Sequence, residues 1–297
     1  AAGGGVAAAA GAAAAAAAGV EAEAEVEAEA RPTRTEALEA LLEVVAPGDA
    51  VVATTGYTSR ELYALREARG EAHNADFLTV GSMGHALSIA QGVALAEPQR
   101  VVWCIDGDGA CLMHMGAMAC SSALGLANLR HVLLNNDAHE SVGGQPTASS
   151  QRPAAVPARG LGLDFAAVAA AAGYVGVGSA ATAAELRAGL QALRGDGSAG
   201  AGGAAGGAGV TEGGPRLGRL GRLQPRAGPR LLEVRTRLGT PDGLGRPRHS
   251  TTEAKAAYML YLQQGSSRQG SARPHAAGVA AAAAAEGAAE GAAAAAE

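Results

Sequence analysis

Aromatic side chains are scarce in this 297-residue chain, which holds 1 Trp, 5 Tyr and 2 Phe. Its 48% hydrophobic content is therefore largely alanine, which buries little area, and a packed core running through the whole length is excluded. Lysine is nearly absent too, Lys255 being the single one among 23 basic residues, a bias that reads as codon usage rather than function. With a net charge of −5 the chain has no overall electrostatic reason to seek nucleic acid or an anionic lipid surface. No bulky apolar run reaches membrane-spanning length, since Ala12–Ala18 is alanine alone, and no membrane partner is expected. The 3 cysteines, Cys104, Cys111 and Cys120, show no CxxC spacing and are too few for a disulfide framework. A reducing, cytoplasmic setting is the expectation. The first residue is Ala rather than Met, which reads as a processed chain or part of a longer product and leaves an organelle open.

What the chain does have is a patterned middle between repetitive flanks. Residues 1–32 are polyalanine with glycine, then Glu alternating with Ala from Glu21 to Glu29, a composition that cannot bury enough surface to offset chain entropy. Five acids argue against a transit peptide. Residues of about 195–228 are Gly, Ala and spaced Arg (Arg216, Arg219, Arg222, Arg226); without interleaved aromatics they read as a solvated insertion, not a nucleic-acid patch. Residues 265–297 return to the Ala/Gly/Glu composition of a tail. The rest, within 33–264, is one domain of alternating short apolar strands and amphipathic helices. Helices are expected at Thr35–Val45 (Thr35 as N-cap), Ser59–Arg69, after Gly84 through Leu95, Cys111–Leu124, Phe165–Ala172, Ala184–Leu193 and Thr252–Leu262. Strands are expected at Ala50–Thr54, Phe77–Val80, Val101–Ile105, His131–Asn135 and Leu231–Arg235. Non-alternating strands separated by helices imply an α/β fold, a parallel sheet with helices on both faces.

In an open parallel sheet ligands collect beyond the carboxyl ends of the strands, so the residues after each strand are the informative ones. Three such loops are Thr54–Ser59, Gly81–His85 and Asp106–Ala110, and a fourth runs from Asn135 to Ser141. Two readings of the third loop fail. A dinucleotide fingerprint from Gly107 needs glycine where Leu112 stands, and a calcium loop from Asp106 needs glycine and glutamate where Cys111 and Ala117 stand. A magnesium and diphosphate clamp fits better. Mg²⁺ wants oxygen ligands in octahedral array, and Asp108 supplies a carboxylate while Asn136, one helical crossover later, supplies a side-chain carbonyl. The backbone carbonyl of Ala138 is a third candidate. Glycine on either side of Asp108 lets the backbone approach phosphates, and amides at the start of the following helix face the same way. The plain alternative is that Asp108 and Asn136 cap neighbouring helices and turns.

At this point the sequence resembles a known family. Gly107-Asp108-Gly109 followed by Asn135-Asn136 is similar to the GDG…NN signature of the thiamine-diphosphate-dependent decarboxylases. TTGYTSREL (Thr54–Leu62), DFLTVGSMGHALSIAQG (Asp76–Gly92), NNDAHESVGGQPT (Asn135–Thr147), LLEVR and LGRP sharpen it toward the C-terminal half of the phosphonopyruvate decarboxylases, with the sulfopyruvate decarboxylases as close relatives. The resemblance implies the thiamine-diphosphate-binding domain type. It implies Mg²⁺ held by Asp108, Asn136 and the Ala138 carbonyl, and a diphosphate faced by Thr54, Thr55, Gly109, Ala110 and Ser141. In the Gly81-Ser82-Met83 loop, Met83 falls where such enzymes bend the cofactor and the Gly81 carbonyl where they receive its amino group. The implied reaction is decarboxylation of a 3-substituted pyruvate to an aldehyde. For the proton donor, His139 is the first candidate and His85 the second, because a neutral imidazole both donates and accepts near pH 7.

The same resemblance implies a second, pyrimidine-binding domain that nothing in residues 1–32 supplies. The chain is then part of a single-chain phosphonopyruvate decarboxylase, or a β-type subunit needing an α-type partner in a homo- or hetero-oligomer. A non-catalytic cofactor-binding subunit is the reading from another class.

Overall fold

The computed structural model describes residues 30–150, 162–195 and 227–266. The expected tails and insertion fall almost wholly outside them. Among the described residues, no helix is long and apolar enough to cross a membrane.

The chain opens with α1 (Arg34–Val44), β1 (Ala50–Ala53), α2 (Tyr57–Arg69), β2 (Asp76–Leu78), α3 (Ala86–Ala96) and β3 (Val102–Gly107). Two short helices, α4 (Asp108–Met113) and α5 (Gly116–Ala123), lead to β4 (Leu129–Asn135). A two-strand hairpin, β5 (Ala138–His139) and β6 (Gln145–Pro146), closes over a turn of 3₁₀ helix. Then come α6 (Phe165–Ala172), β7 (Gly176–Ala180), α7 (Ala183–Arg194), β8 (Arg230–Arg235) and α8 (Thr251–Ser266). The 6-stranded sheet has the order β2-β1-β3-β4-β8-β7, every pair parallel.

Successive side chains of a strand point to opposite faces, so an all-apolar strand feeds two cores at once. Val51, Ala53, Trp103, Ile105, Val132, Leu134, Leu232 and Val234 pack with Leu38 and Leu41 of α1, Leu62 of α2, and Leu186 and Leu190 of α7. Their neighbours Ala50, Val52, Val102, Cys104, Leu129, Leu133 and Leu231 pack on the other face with Leu87 and Ala90 of α3, Cys111 of α4, Met118 of α5, Phe165 of α6 and Tyr258 of α8. All three cysteines are free, Cys104 and Cys111 buried and Cys120 exposed.

The differences from the sequence reading are local. The N-cap of α1 is Thr33, not Thr35, because Thr33 and Glu36 satisfy each other's backbone amides in a capping box. Thr35 instead donates its hydroxyl to Glu61 (2.8 Å). The single helix expected at Cys111–Leu124 begins at Asp108, directly on the end of β3, and breaks at His114. There the His114 ring packs on His85, centroids 4.1 Å apart. Strand β7 (GVGSA) adds to the expected strands: its small residues carry no apolar signal, and it forms by pairing with β8 at the sheet edge.

Leu38 is fully buried while Leu95 is 56% exposed, so Leu38→Ala is expected to cost about 2–5 kcal/mol and Leu95→Ala less than about 0.5. Denaturant unfolding followed by the emission of Trp103, the chain's 1 tryptophan, measures both.

Candidate functional site

All six parallel strands end at the same edge, and the loops after β1, β3 and β4 wall an open cleft there. Register brings its chemistry together. Gly107 pairs with Leu134 across β3 and β4, which sets Asp108, one residue beyond, beside Asn136, two residues beyond. Of the residues expected from sequence, Thr54, Thr55, Met83, Asp108, Gly109, Ala110, Asn136, Ala138, His139 and Ser141 line this cleft. Gly81, Ser82 and His85 do not. The Gly81 amide donates to the Thr55 hydroxyl (3.2 Å), which ties the β2–α3 loop to the rim. His85 turns its Nδ1 to the Ser82 carbonyl (3.1 Å) and its ring to His114.

Asp108 is 3% exposed. Burial pushes its carboxyl up to about 6, against the pull of the Thr147 hydroxyl and the Gly109 amide, and the charge of Asp137 adds to the push. Among the described residues no ion pair reaches it. The Thr54 hydroxyl, on the same cleft, is buried without a hydrogen-bond partner. A charge-penalised carboxylate and an orphaned hydroxyl facing one cavity are what a divalent cation and an anionic oxygen would satisfy. The residues present fit magnesium and diphosphate.

The two asparagines of the NN pair divide the work. Asn135 is inside the sheet, donating to Glu233 (2.7 Å) and accepting the Asp137 amide (3.1 Å). Asn136 faces the cleft, its Oδ1 accepting the Ala138 amide (3.1 Å). Between them and the hairpin, Asp137 takes the left-handed conformation (φ 61°), with its carboxylate held by Arg235 at 2.7 Å. His139 lies against Gly109 so closely that a Cβ there would come within 2.7 Å of the imidazole.

Sequence reasoning missed Arg34, Tyr57, Thr147 and Thr236. Arg34, the first residue of α1, lines the cleft with its guanidinium on Glu61 and Glu140. Its partners lie 27 and 106 residues away, so no spacing announces it. Thr147 sits in the quoted HESVGGQPT stretch, but only the hairpin return brings it to Asp108 (2.8 Å). Glu140, in the same stretch, is the partner of Arg34. A second cluster, Cys104, Asp106 and His131, lies buried inside the sheet rather than at the cleft, with Asp106 and His131 3.8 Å apart.

Gly109→Ala is expected to displace the His139 ring and shift its imidazole signals in a histidine-selective NMR spectrum. Gly107→Ala, with nothing within 4 Å of the added methyl, should leave them in place.

Residues 54–200 match the family model described as the thiamine pyrophosphate enzyme, C-terminal TPP binding domain, thiamine pyrophosphate being thiamine diphosphate. The chain is similar to the phosphonopyruvate decarboxylase of Streptomyces viridochromogenes, 36% identical over 251 residues, covering 84% of this chain and 51% of that one. It is 43% identical over 167 residues to the phosphonopyruvate decarboxylase of Streptomyces hygroscopicus, covering 56% and 37%. Against the sulfopyruvate decarboxylase subunit beta of Methanocaldococcus jannaschii it is 32% identical over 134 residues, covering 45% of this chain and 68% of that one. The chain thus spans about half the length, or less, of the phosphonopyruvate decarboxylases it matches. These matches establish that the chain belongs to the thiamine-diphosphate enzyme family that includes the phosphonopyruvate and sulfopyruvate decarboxylases, and that it carries that family's C-terminal cofactor-binding domain.

Proposed function

We propose that this chain is the cofactor-binding part of a Mg²⁺- and thiamine-diphosphate-dependent decarboxylase that converts phosphonopyruvate to phosphonoacetaldehyde and CO₂. The observation that carries the reading is the meeting of Asp108 and Asn136 at the ends of two adjacent strands, on a cleft also walled by Thr54, Ala138 and Ser141. Asp108, the Asn136 side-chain oxygen and the Ala138 carbonyl would hold the metal. Thr54, Thr55, Ser141 and the Gly109 and Ala110 amides would face the diphosphate. Met83 is among the apolar residues of the wall and would lie beside the organic rings.

Bound thiamine diphosphate supplies the electron sink that a 2-oxoacid needs in order to release CO₂. The protein's part is to orient, exclude water and move a proton. Two histidines were candidates for the last task, and His139 is the one on the cleft, against the Gly109 backbone. His85, turned to His114, is set aside in this reading. Around the cleft, Val80 and Val142 are 71% and 69% exposed, the kind of apolar surface that suits a covering pyrimidine-binding domain or α-type subunit.

A second reading, a β-type subunit of a sulfopyruvate decarboxylase, is favoured by the 68% coverage of the Methanocaldococcus jannaschii subunit. Both substrates are short 2-oxoacids with an anionic group on C3, and one cleft suits either.

Co-expression with a pyrimidine-binding domain or α-type subunit is expected to give CO₂ release that requires both thiamine diphosphate and Mg²⁺, fastest on phosphonopyruvate, then sulfopyruvate, then pyruvate. Asp108→Ala should lower the rate more than about 100-fold, since it removes a metal ligand. Sulfopyruvate as the best substrate would favour the second reading. Cofactor binding without turnover of any of the three would make the chain a binding subunit.

A further inference from the structure

We propose that Glu140 is a positioning residue that, held in place by Arg34, fixes which way the Asn136 side-chain amide faces and so turns its oxygen to the metal. The inference rests on the metal reading above and deepens it.

The two ends of a carboxamide are nearly the same shape, so packing alone does not choose between them; hydrogen bonds do. An ionised carboxylate only accepts, and the Glu140 Oε2 takes the Asn136 Nδ2 at 3.0 Å. At the other end, the Ala138 amide, which only donates, meets the Asn136 Oδ1 at 3.1 Å. A flipped amide would set its oxygen against the Glu140 carboxylate and its NH₂ against the Ala138 N–H, losing both bonds and adding a repulsion at each. The Asn136 oxygen keeps a second lone pair for a cation.

Glu140 can act this way because it cannot move. Its Oε2 also accepts from the Arg34 Nη1 (2.7 Å), and its Oε1 accepts from the Gly239 amide (2.8 Å) and the Thr240 hydroxyl (3.3 Å). Four donors occupy the roughly four acceptor positions of a carboxylate, which also leaves it no capacity for proton transfer to a substrate. Arg34 is anchored in turn: its Nε donates to the Glu61 Oε1 at 2.8 Å, the Thr35 hydroxyl holds the other Glu61 oxygen, and the Tyr57 ring lies 5.3 Å from the guanidinium carbon. The relay thus runs from α1 and α2, through the segment after β8, to a metal-facing amide at the end of β4. A partner one shell out from a metal ligand commonly sets 10–100-fold in metal affinity.

The test is Mn²⁺ binding by the full chain, read from the loss of the free-ion EPR signal. Thermal unfolding in the absence of metal checks that each variant is folded. Glu140→Gln, whose amide can face Asn136 either way, is expected to bind Mn²⁺ about 10–100-fold more weakly. Arg34→Lys, which keeps the charge but loses the fork, should weaken it in the same direction and serves if Glu140→Gln fails to fold. The decisive variant is the double Glu140→Gln/Asn136→Asp, because a carboxylate presents an oxygen whichever way it turns. Measured against Asn136→Asp alone, which carries the same added charge, the double variant should lose little affinity, whereas a purely structural or electrostatic role for Glu140 predicts the same fold-loss in both backgrounds. Unchanged Mn²⁺ affinity in Glu140→Gln, or an equal fold-loss from Glu140→Gln with Asn136 and with Asn136→Asp, overturns the inference. Asp108→Ala separates the two levels: if it abolishes binding while Glu140→Gln leaves the affinity unchanged, only the positioning role falls. If Asp108→Ala binds like the unaltered chain, the metal reading falls and the inference with it.

Discussion

The hydrogen-bond ladder between β3 and β4 decides what the cleft contains. Adjacent strands lie about 4.8 Å apart, and the pairing of Gly107 with Leu134 brings the residues just beyond them to the same rim of the sheet. The ladder is pinned from both faces: Trp103 and Ile105 are locked into one core, and Cys104 into the other. A one-residue slip would exchange these sets and move Asp108 off the rim opposite Asn136, so the packing of the whole sheet stands behind the placement of two side chains.

Charge at this edge is arranged with one conspicuous gap. Glu61 and Glu140 share Arg34, and Asp137 has Arg235. Among the described residues no cation pairs with Asp108, which has a hydroxyl and backbone amides instead. Burying a carboxylate without a counter-charge is costly, and folds keep such groups where a ligand will complete them. The unpartnered Thr54 hydroxyl is the neutral counterpart of the same incompleteness. The site is rigid where it is paired and unfinished where it would bind.

Much of this was legible in the sequence, for reasons that can be named. Short apolar strands such as VWCI and HVLL, separated by helices, signal a sheet buried on both faces, and the sheet is there. GDG and NN lie at the ends of strands, where parallel topology gathers ligands, so local pattern and topology pointed to the same loops. The hairpin over the cleft was not legible, because two-residue strands carry no periodicity. Neither was β7, made of glycine and small residues. Arg34 and Thr147 were invisible for a different reason: their roles are contacts with residues far off in the chain, and nothing in their neighbourhood encodes the partner. His85 shows the converse, a residue type suited to chemistry whose backbone position turns it away from the cleft.

The most direct test of the account is where a divalent cation sits on this chain. A crystal grown with Mn²⁺ in place of Mg²⁺ locates the ion by its anomalous scattering. The account predicts a peak bounded by an Asp108 carboxylate oxygen, the Asn136 side-chain oxygen and the Ala138 carbonyl, at contacts of about 2.1–2.2 Å. A fully occupied peak elsewhere, with Asp108 and Asn136 left unligated, would contradict it.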